Sequence, residues 1–311
     1  MQQLFITDPF QTLVPGHDST LALMRNASQL NHTVFQCQMD DLSWNGKQVI
    51  AKAKQVILHD NTLDLQESIH ELNLSIPNNV VSWMRKDPPV DNAYIKACQI
   101  LRLAKSPVLN NPNSLMACDE KLFALEFPEL TPITYIVQHK TQITELVHQH
   151  KKLIAKLIGA KGGEGIFMLS HDDKNLGSLT EMMTQYGQNA IILQEYLPQI
   201  KEGDKRIFLL NGEPLGAVLR LPQDHDHRAN MAAGGTIAKT QLTEREVEIC
   251  RIIKPRLIEL GMHVVGIDTI GDKLTEINIT SPTCLEEIAE LDGSTPAKDI
   301  VQWSETLLSE K

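Results

Sequence analysis

The stretch from Val264 to Thr280 constrains the chain most, because it permits one local shape. Two β-branched, apolar runs meet at Gly271-Asp272, a hairpin by composition and turn chemistry. Side chains alternate along a strand, so Glu276 and Asn278 leave the second run on the same face. With a connection of three residues, Gly271 to Lys273, Asp268 sits directly across from Glu276 and joins that face. Three oxygen-bearing side chains then converge, a donor set suited to a hard cation such as Mg²⁺, which proteins hold with one or two carboxylates together with substrate phosphates. Taken alone, the same residues more readily describe a solvated sheet face. A register slip of one residue would turn Asp268 to the opposite face. The reading therefore turns on whether the rest of the chain supplies a site for phosphate.

At 311 residues the chain can build two or three lobes, each with its own core. A formal charge of −10 argues against a general nucleic-acid binder, which needs clustered Lys and Arg to release counterions. Any positive site must be local. Cys37, Cys98, Cys118, Cys250 and Cys284 are scattered with no CxxC pair, so neither a disulfide framework nor a zinc knuckle is suggested, and a reducing cytoplasm is the simplest home. No signal peptide and no stretch able to span a bilayer is expected.

The chain opens with a buried strand at Gln3 to Asp8 and a helix capped by Asp18 or Ser19. Strands follow at Val34 to Gln36 and Val49 to Leu58, then a polar, mobile segment up to the strand Val80 to Met84. That strand stops at Arg85-Lys86-Asp87-Pro88-Pro89, and α/β sheets place ligand groups at such ends, although a salt-bridged loop fits equally. Asp119-Glu120-Lys121 opens a helix with acidic residues in its first turn. Lys156 stands inside the strand Leu153 to Ile158, where an unpaired ammonium is poorly placed. It must either snorkel at a sheet edge or meet an anion. Gly159 to Gly165 can lay backbone N–H groups against phosphate oxygens, but lacks the Walker spacing and by itself is also a plain hairpin loop.

Ile191 to Pro198 is a strand that ends where backbone groups could meet an adenine edge. Gly203 to Leu210 and Leu215 to Leu221 form a second hairpin at Asn211-Gly212, carrying Arg206 and Arg220 on neighbouring strands. His225 and His227 lack a third ligand and read as solvent-exposed. Thr243 caps a long helix, Glu244 to Leu260, which leads into the opening hairpin. The chain shows neither internal repeats nor a nucleophile elbow.

In order, these pieces resemble the ATP-grasp superfamily. Within it, Met84 to Pro89, Asn110 to Pro112, Glu120 to Phe123, Gln194 to Pro198, Gly203 to Arg206, Ala232 to Gly235 and Thr275 to Thr283 closely resemble the bacterial glutathione synthetase family, over nearly the whole chain. The resemblance implies an α/β protein made of α+β lobes: an N-terminal parallel-sheet domain over 1–118, an ATP-grasp lid subdomain over 119–198, and a C-terminal subdomain over 199–311 carrying the metal and substrate site. It further implies that Lys121 and Lys156 hold nucleotide phosphates, Gly162 and Gly163 close over them, Glu195, Tyr196 and Leu197 form the adenine hinge, and Asp204 meets the ribose. Asp268, Glu276 and Asn278 would carry Mg²⁺, with Mn²⁺ as an alternative. Arg206 and Arg220 would face the transferred phosphoryl or the substrate carboxylate, while Arg85, Arg228, Asn230, Ser281 and Thr283 would bind substrate.

The implied reaction is ATP-dependent ligation of glycine to γ-glutamylcysteine through an acyl phosphate, in a cytoplasmic homo-oligomer. Phosphoryl transfer depends chiefly on alignment and charge neutralisation, which suits Lys, Arg and a metal. The chain departs from the family pattern at Ala160-Lys161, at Leu157 in place of a proline, and at Asp224 to His227 where glycine is expected. A ligase for another peptide or amino acid, and a nucleotide-binding relative without ligase activity, are the rival readings.

Overall fold

The computed structural model describes residues 1–160, 162–223 and 235–309; Lys161, Arg228 and Asn230 lie outside them. Strands β1 (Gln2–Ile6), β2 (Thr33–Cys37), β3 (Leu42–Trp44), β4 (Val49–His59), β5 (Thr62–Asn73), β6 (Val80–Met84) and β7 (Val108–Leu109) form one mixed sheet. β1 lies in its middle, parallel to β2 and β6, and β6 runs parallel to β7. Every residue of β6 is buried, as expected of a strand covered on both faces. Helix α1 (Ser19–Gln29) is capped by Asp18, whose carboxylate accepts from Thr20 N at 2.7 Å. Helix α2 (Asn92–Leu101) is capped in the same way by Asp91.

The polar stretch before β6 is not a mobile connection. Most of it is β5, which pairs antiparallel with β4 along the sheet margin. Its side chains are largely exposed, so burial selects few apolar residues and the strand is hidden in composition.

Two short helices, α3 (Pro112–Ala117) and α4 (Glu120–Phe123), lead to a four-stranded antiparallel sheet. It consists of β8 (Thr134–Val137), β9 (Lys152–Leu157), β10 (Ile166–Ser170) and β11 (Ile191–Glu195), in the order β10-β9-β11-β8. Helices α5 (Lys140–His150) and α6 (Leu176–Met183) cover one face. Ile143, Val147, Leu153, Ala155, Leu169 and Leu193 form a core confined to this unit. Leu153 and Ala155 point into that core, so strand alternation sends Ile154 and Lys156 out through the opposite face.

The last sheet is antiparallel, in the order β14-β13-β12-β15-β16: β12 (Asp204–Leu210), β13 (Glu213–Leu221), β14 (Thr236–Lys239), β15 (Val264–Ile270) and β16 (Lys273–Asn278). Helix α7 (Glu244–Glu259) starts with a capping box between Thr243 and Glu246, and α8 (Leu285–Asp292) and α9 (Pro296–Thr306) close the chain. Leu4, Ile6 and Met84 of the first sheet share one core with Ile207, Val265 and Ile267 of the last, so these two sheets pack as a base beneath the separately cored middle unit.

Candidate active site

The β15–β16 hairpin fixes the floor of the site. Its turn is Gly271-Asp272, since Ile270 pairs with Lys273, and Gly271 sits at φ +59°, in the left-handed region that glycine tolerates. A two-residue turn alone would set Asp268 against Thr275 and send Glu276 to the other face. A bulge restores the count: Thr269 pairs with Leu274, Thr275 is the extra residue, and Asp268 pairs with Glu276. The expected register is present, but it arises from a tight turn plus a bulge instead of a three-residue connection.

Across β15, Asp268 pairs with Arg206 of β12. Arg206 is bidentate on it, Nε to Oδ1 at 2.5 Å and Nη2 to Oδ2 at 2.9 Å. Arg220 Nη2 reaches Asp268 Oδ2 at 3.0 Å and is itself bidentate on Asp204, at 2.7 and 2.6 Å. Asn278 Nδ2 donates to Asp268 Oδ2 at 3.3 Å. Burial opposes ionisation of Asp268, yet the two guanidinium groups prevail and hold its carboxyl well below the usual range. Both arginines remain cationic despite burial, because Asp268 faces each of them.

Opposite this floor stand the two candidate lysines. Lys121, at the start of α4, places Nζ 3.3 Å from Glu276 Oε1 and also donates to the Ala160 carbonyl. Lys156 neither snorkels at an edge nor meets a carboxylate directly: β9 lies between β10 and β11, and Nζ donates to the Gln194 amide oxygen at 2.7 Å. Burial lowers its pKa, with Glu276 pulling the other way and Lys121 adding to the fall. Between lysines and floor lies a partly open cleft. Lys121, Lys156, Glu195, Tyr196, Leu197, Asp204, Asp268 and Glu276 line it, and Ile154, Ile166, Ile200 and Ile270 supply apolar walls.

Glu195 N bonds the Ile133 carbonyl at 2.8 Å, and Lys152 Nζ lies 5.2 Å from the centre of the Tyr196 ring. Gly162 and Gly163 adopt positive φ on the β9–β10 connection. This connection is tied to α4, because Asp119, which caps α4 through Oδ1, accepts from Gly159 N through Oδ2 at 3.1 Å.

The loop leaving β16 carries Ser281 and Thr283. Arg85, at the end of β6, donates from Nη2 to the Pro282 carbonyl at 2.9 Å and from Nε to Thr20 Oγ1 at 3.1 Å. Its Nη1 is buried with no hydrogen-bond partner among the described residues. Sequence reasoning missed the residues that hold this arrangement. Asn110 Nδ2 donates to the carbonyls of Val264 and Ile279 at 2.8 and 2.7 Å, Glu120 accepts from Ile279 and Thr280, and Gln194 receives Lys156. Each opens a motif quoted above, but a side chain whose partner lies far along the chain leaves no periodic signal to mark its role.

The prokaryotic glutathione synthetase N-terminal domain family matches residues 1–116, and the prokaryotic glutathione synthetase ATP-grasp domain family matches residues 120–293. The chain is 44% identical to the glutathione synthetase of Gloeobacter violaceus, over 97% of this chain and 96% of that protein. It is 41% identical to that of Synechocystis, over 98% and 99%. Among solved structures, D-cycloserine synthetase superposes with a TM-score of 0.69 at 11% identity, covering 99% of this chain and 100% of that one. An ATP-grasp protein of Sphaerobacter thermophilus superposes at 0.63 and 12% identity, covering 97% and 99%. The structural likenesses establish an ATP-grasp fold; with both family matches and full-length identity above two-fifths, the chain belongs to the prokaryotic glutathione synthetases.

Proposed function

We propose that the cleft joins glycine to γ-glutamylcysteine at the expense of ATP. The cysteinyl carboxylate attacks the γ-phosphorus and ADP leaves. The glycine amine then attacks the acyl carbon of the acyl phosphate, phosphate leaves, and the amine proton is released. The observation that carries this reading is the approach of Lys121 to Glu276 across the cleft at 3.3 Å, which brings a phosphate-binding cation within reach of a metal-binding carboxylate. In this reading Lys121 and Lys156 hold the phosphates, and Glu195, Tyr196 and Leu197 the adenine. Asp204, whose oxygens already take Arg220, has acceptor capacity left for a ribose hydroxyl. Gly162 and Gly163 close over the nucleotide and exclude water from a hydrolysable acyl phosphate.

Asp268, Glu276 and Asn278 suit a divalent cation shared with phosphates: oxygen donors only, two of them carboxylates, on one rigid hairpin. No cluster of three His, Cys, Asp or Glu occurs among the described residues. We assign Mg²⁺, which when bound neutralises charge developing between nucleotide and carboxylate. Arg206 and Arg220, anchored by Asp268 and Asp204, present fixed positive charge to the transferred phosphoryl group. Arg85 offers its unpartnered Nη1 to a peptide carboxylate beside Ser281 and Thr283, and Arg228 and Asn230 complete the peptide site.

The division into lobes at 118 and 198 belongs to this reading and is supported by three separate sheets. A cytoplasmic setting is supported by five free thiols, and a homo-oligomer by family membership alone. The test is ADP release with ATP, Mg²⁺, γ-glutamylcysteine and glycine, each omitted in turn. Release that requires all four supports the reading; release that follows a different acceptor overturns the substrate assignment.

A further inference from the structure

The loop from Ile279 to Cys284 follows the candidate metal ligand Asn278 and carries the candidate substrate residues Ser281 and Thr283; it and Leu285, which follows it, are pinned from four distant parts of the chain. Asn110 holds the Ile279 carbonyl, Arg85 holds the Pro282 carbonyl, and Ser19 Oγ accepts from Leu285 N at 3.0 Å. The fourth pin is Glu120. Its Oε1 accepts from Ile279 N at 2.8 Å, Thr280 N at 2.9 Å and Thr280 Oγ1 at 2.8 Å. Of the four, Glu120 alone sits next to a group that faces the nucleotide side, because Lys121 follows it in α4 and contacts Glu276. Successive helical residues point about 100° apart, so one turn sends Glu120 to the loop and Lys121 to the cleft. Asp119, just before them, grips Gly159 N.

We infer that Glu120 is a positioning residue for the acceptor side of the reaction: its carboxylate sets the path of the 279–284 loop, while its neighbour Lys121 serves the nucleotide. This rests on the proposed ligase reading for what the loop binds, but not for the contact itself. Three hydrogen bonds converge on one carboxyl oxygen and lie next to the substrate residues. Losing them frees the backbone there without touching the lysines or the apolar walls of the cleft.

The test compares Glu120→Ala, Glu120→Gln and Lys121→Ala in the full chain. For Glu120→Ala we expect KM for glycine and for γ-glutamylcysteine to rise about 10- to 100-fold, from the combined worth of three lost hydrogen bonds. The ADP dissociation constant should stay within about threefold. Glu120→Gln keeps an acceptor oxygen of similar reach and should fall between Glu120→Ala and the wild-type chain. Lys121→Ala should show the reverse split, with ADP binding weakened most.

Amide hydrogen exchange gives a readout independent of turnover: exchange at Ile279 and Thr280 should accelerate in Glu120→Ala while β16 stays protected. Unchanged exchange there overturns the inference, as does a loss of ADP binding equal to the rise in acceptor KM in both Glu120 variants. If instead the wild-type chain turns over neither acceptor while exchange responds as expected, the ligase reading fails and the contact stands.

Discussion

Glu276→Gln separates a metal role from a structural one, because the surroundings of Glu276 give opposite expectations for the two. Among the described residues its carboxylate makes one ion pair, to Lys121 at 3.3 Å, with side-chain exposures of 19% and 10%. The pair is largely buried, but glutamine can still accept from Lys121, so the substitution should cost about 1–2 kcal/mol and lower the melting temperature by about 2–8 °C. Asp268→Asn is the contrast: it disturbs an anion that holds two buried guanidinium groups, and breaking such a pair costs about 3–5 kcal/mol.

The effect of Glu276→Gln on nucleotide should change sign with the metal. Without metal, Glu276 and the phosphates repel, by roughly 3 kcal/mol for two unit charges about 5 Å apart at an effective dielectric of about 20. Lys121 offsets much of this, so metal-free ATP binding should be unchanged or tighten by up to about tenfold. With Mg²⁺ present, losing the carboxylate should lower kcat by about 100-fold or more, comparable to removing one preorganised electrostatic group, or about 2.7 kcal/mol of barrier. Calorimetric ATP titrations with and without Mg²⁺, alongside ADP release, read both arms. Equal loss of metal-free binding and turnover, or a melting temperature lowered by more than about 8 °C, would refute the role given to Glu276.

Gly266 leaves no room for a side chain: an added Cβ would lie 2.9 Å from Pro282 Cβ and 3.1 Å from Arg206 Cδ. Gly266→Ala should cost about 1–3 kcal/mol by overpacking and, by shifting Arg206, lower kcat/KM at least about tenfold, as denaturant titration and steady-state rates would show. Burial raises all five thiols, those of Cys98 and Cys250 to about 12, but Cys118 alone of the five is not fully buried, so alkylation of the native protein at pH 8 should label Cys118 first, read by mass spectrometry. Burial lowers the pKa of His263 below the ordinary 6.5, so between the two values the unfolded chain binds more protons than the folded one. Stability should therefore be full above about pH 6.5 and decline as pH falls below it, with a shallower decline in His263→Gln, measured by melting temperature against pH.

What the sequence disclosed follows from what kind of physics leaves a local trace. The hairpin was legible because β-branched runs around Gly271-Asp272 admit few shapes, and Asp268 does pair with Glu276. The bulge at Thr275 that secures this pairing was not, since an extra strand residue has no compositional mark. Lys156 was conspicuous as a cation in an apolar strand, but its partner is the Gln194 amide, because the carboxylates of the floor lie across the cleft and not beside it. Arg206 and Arg220 stood out as a pair on neighbouring strands, yet their bidentate grip on Asp268 and Asp204 depends on how three strands align. β5 escaped notice because an exposed marginal strand need not be apolar. Glu120 and Asn110 work by reaching backbone more than a hundred residues away, a relation only the folded chain displays.

The central claim is that this cleft activates a peptide carboxylate as its acyl phosphate, and oxygen isotope transfer tests it most directly. γ-Glutamylcysteine labelled with ¹⁸O in its cysteinyl carboxylate is incubated with the protein, ATP, Mg²⁺ and glycine, and the released phosphate is analysed by mass spectrometry. Attack of the carboxylate on the γ-phosphorus carries one labelled oxygen into phosphate for each glutathione formed. Product formation with unlabelled phosphate would contradict the account.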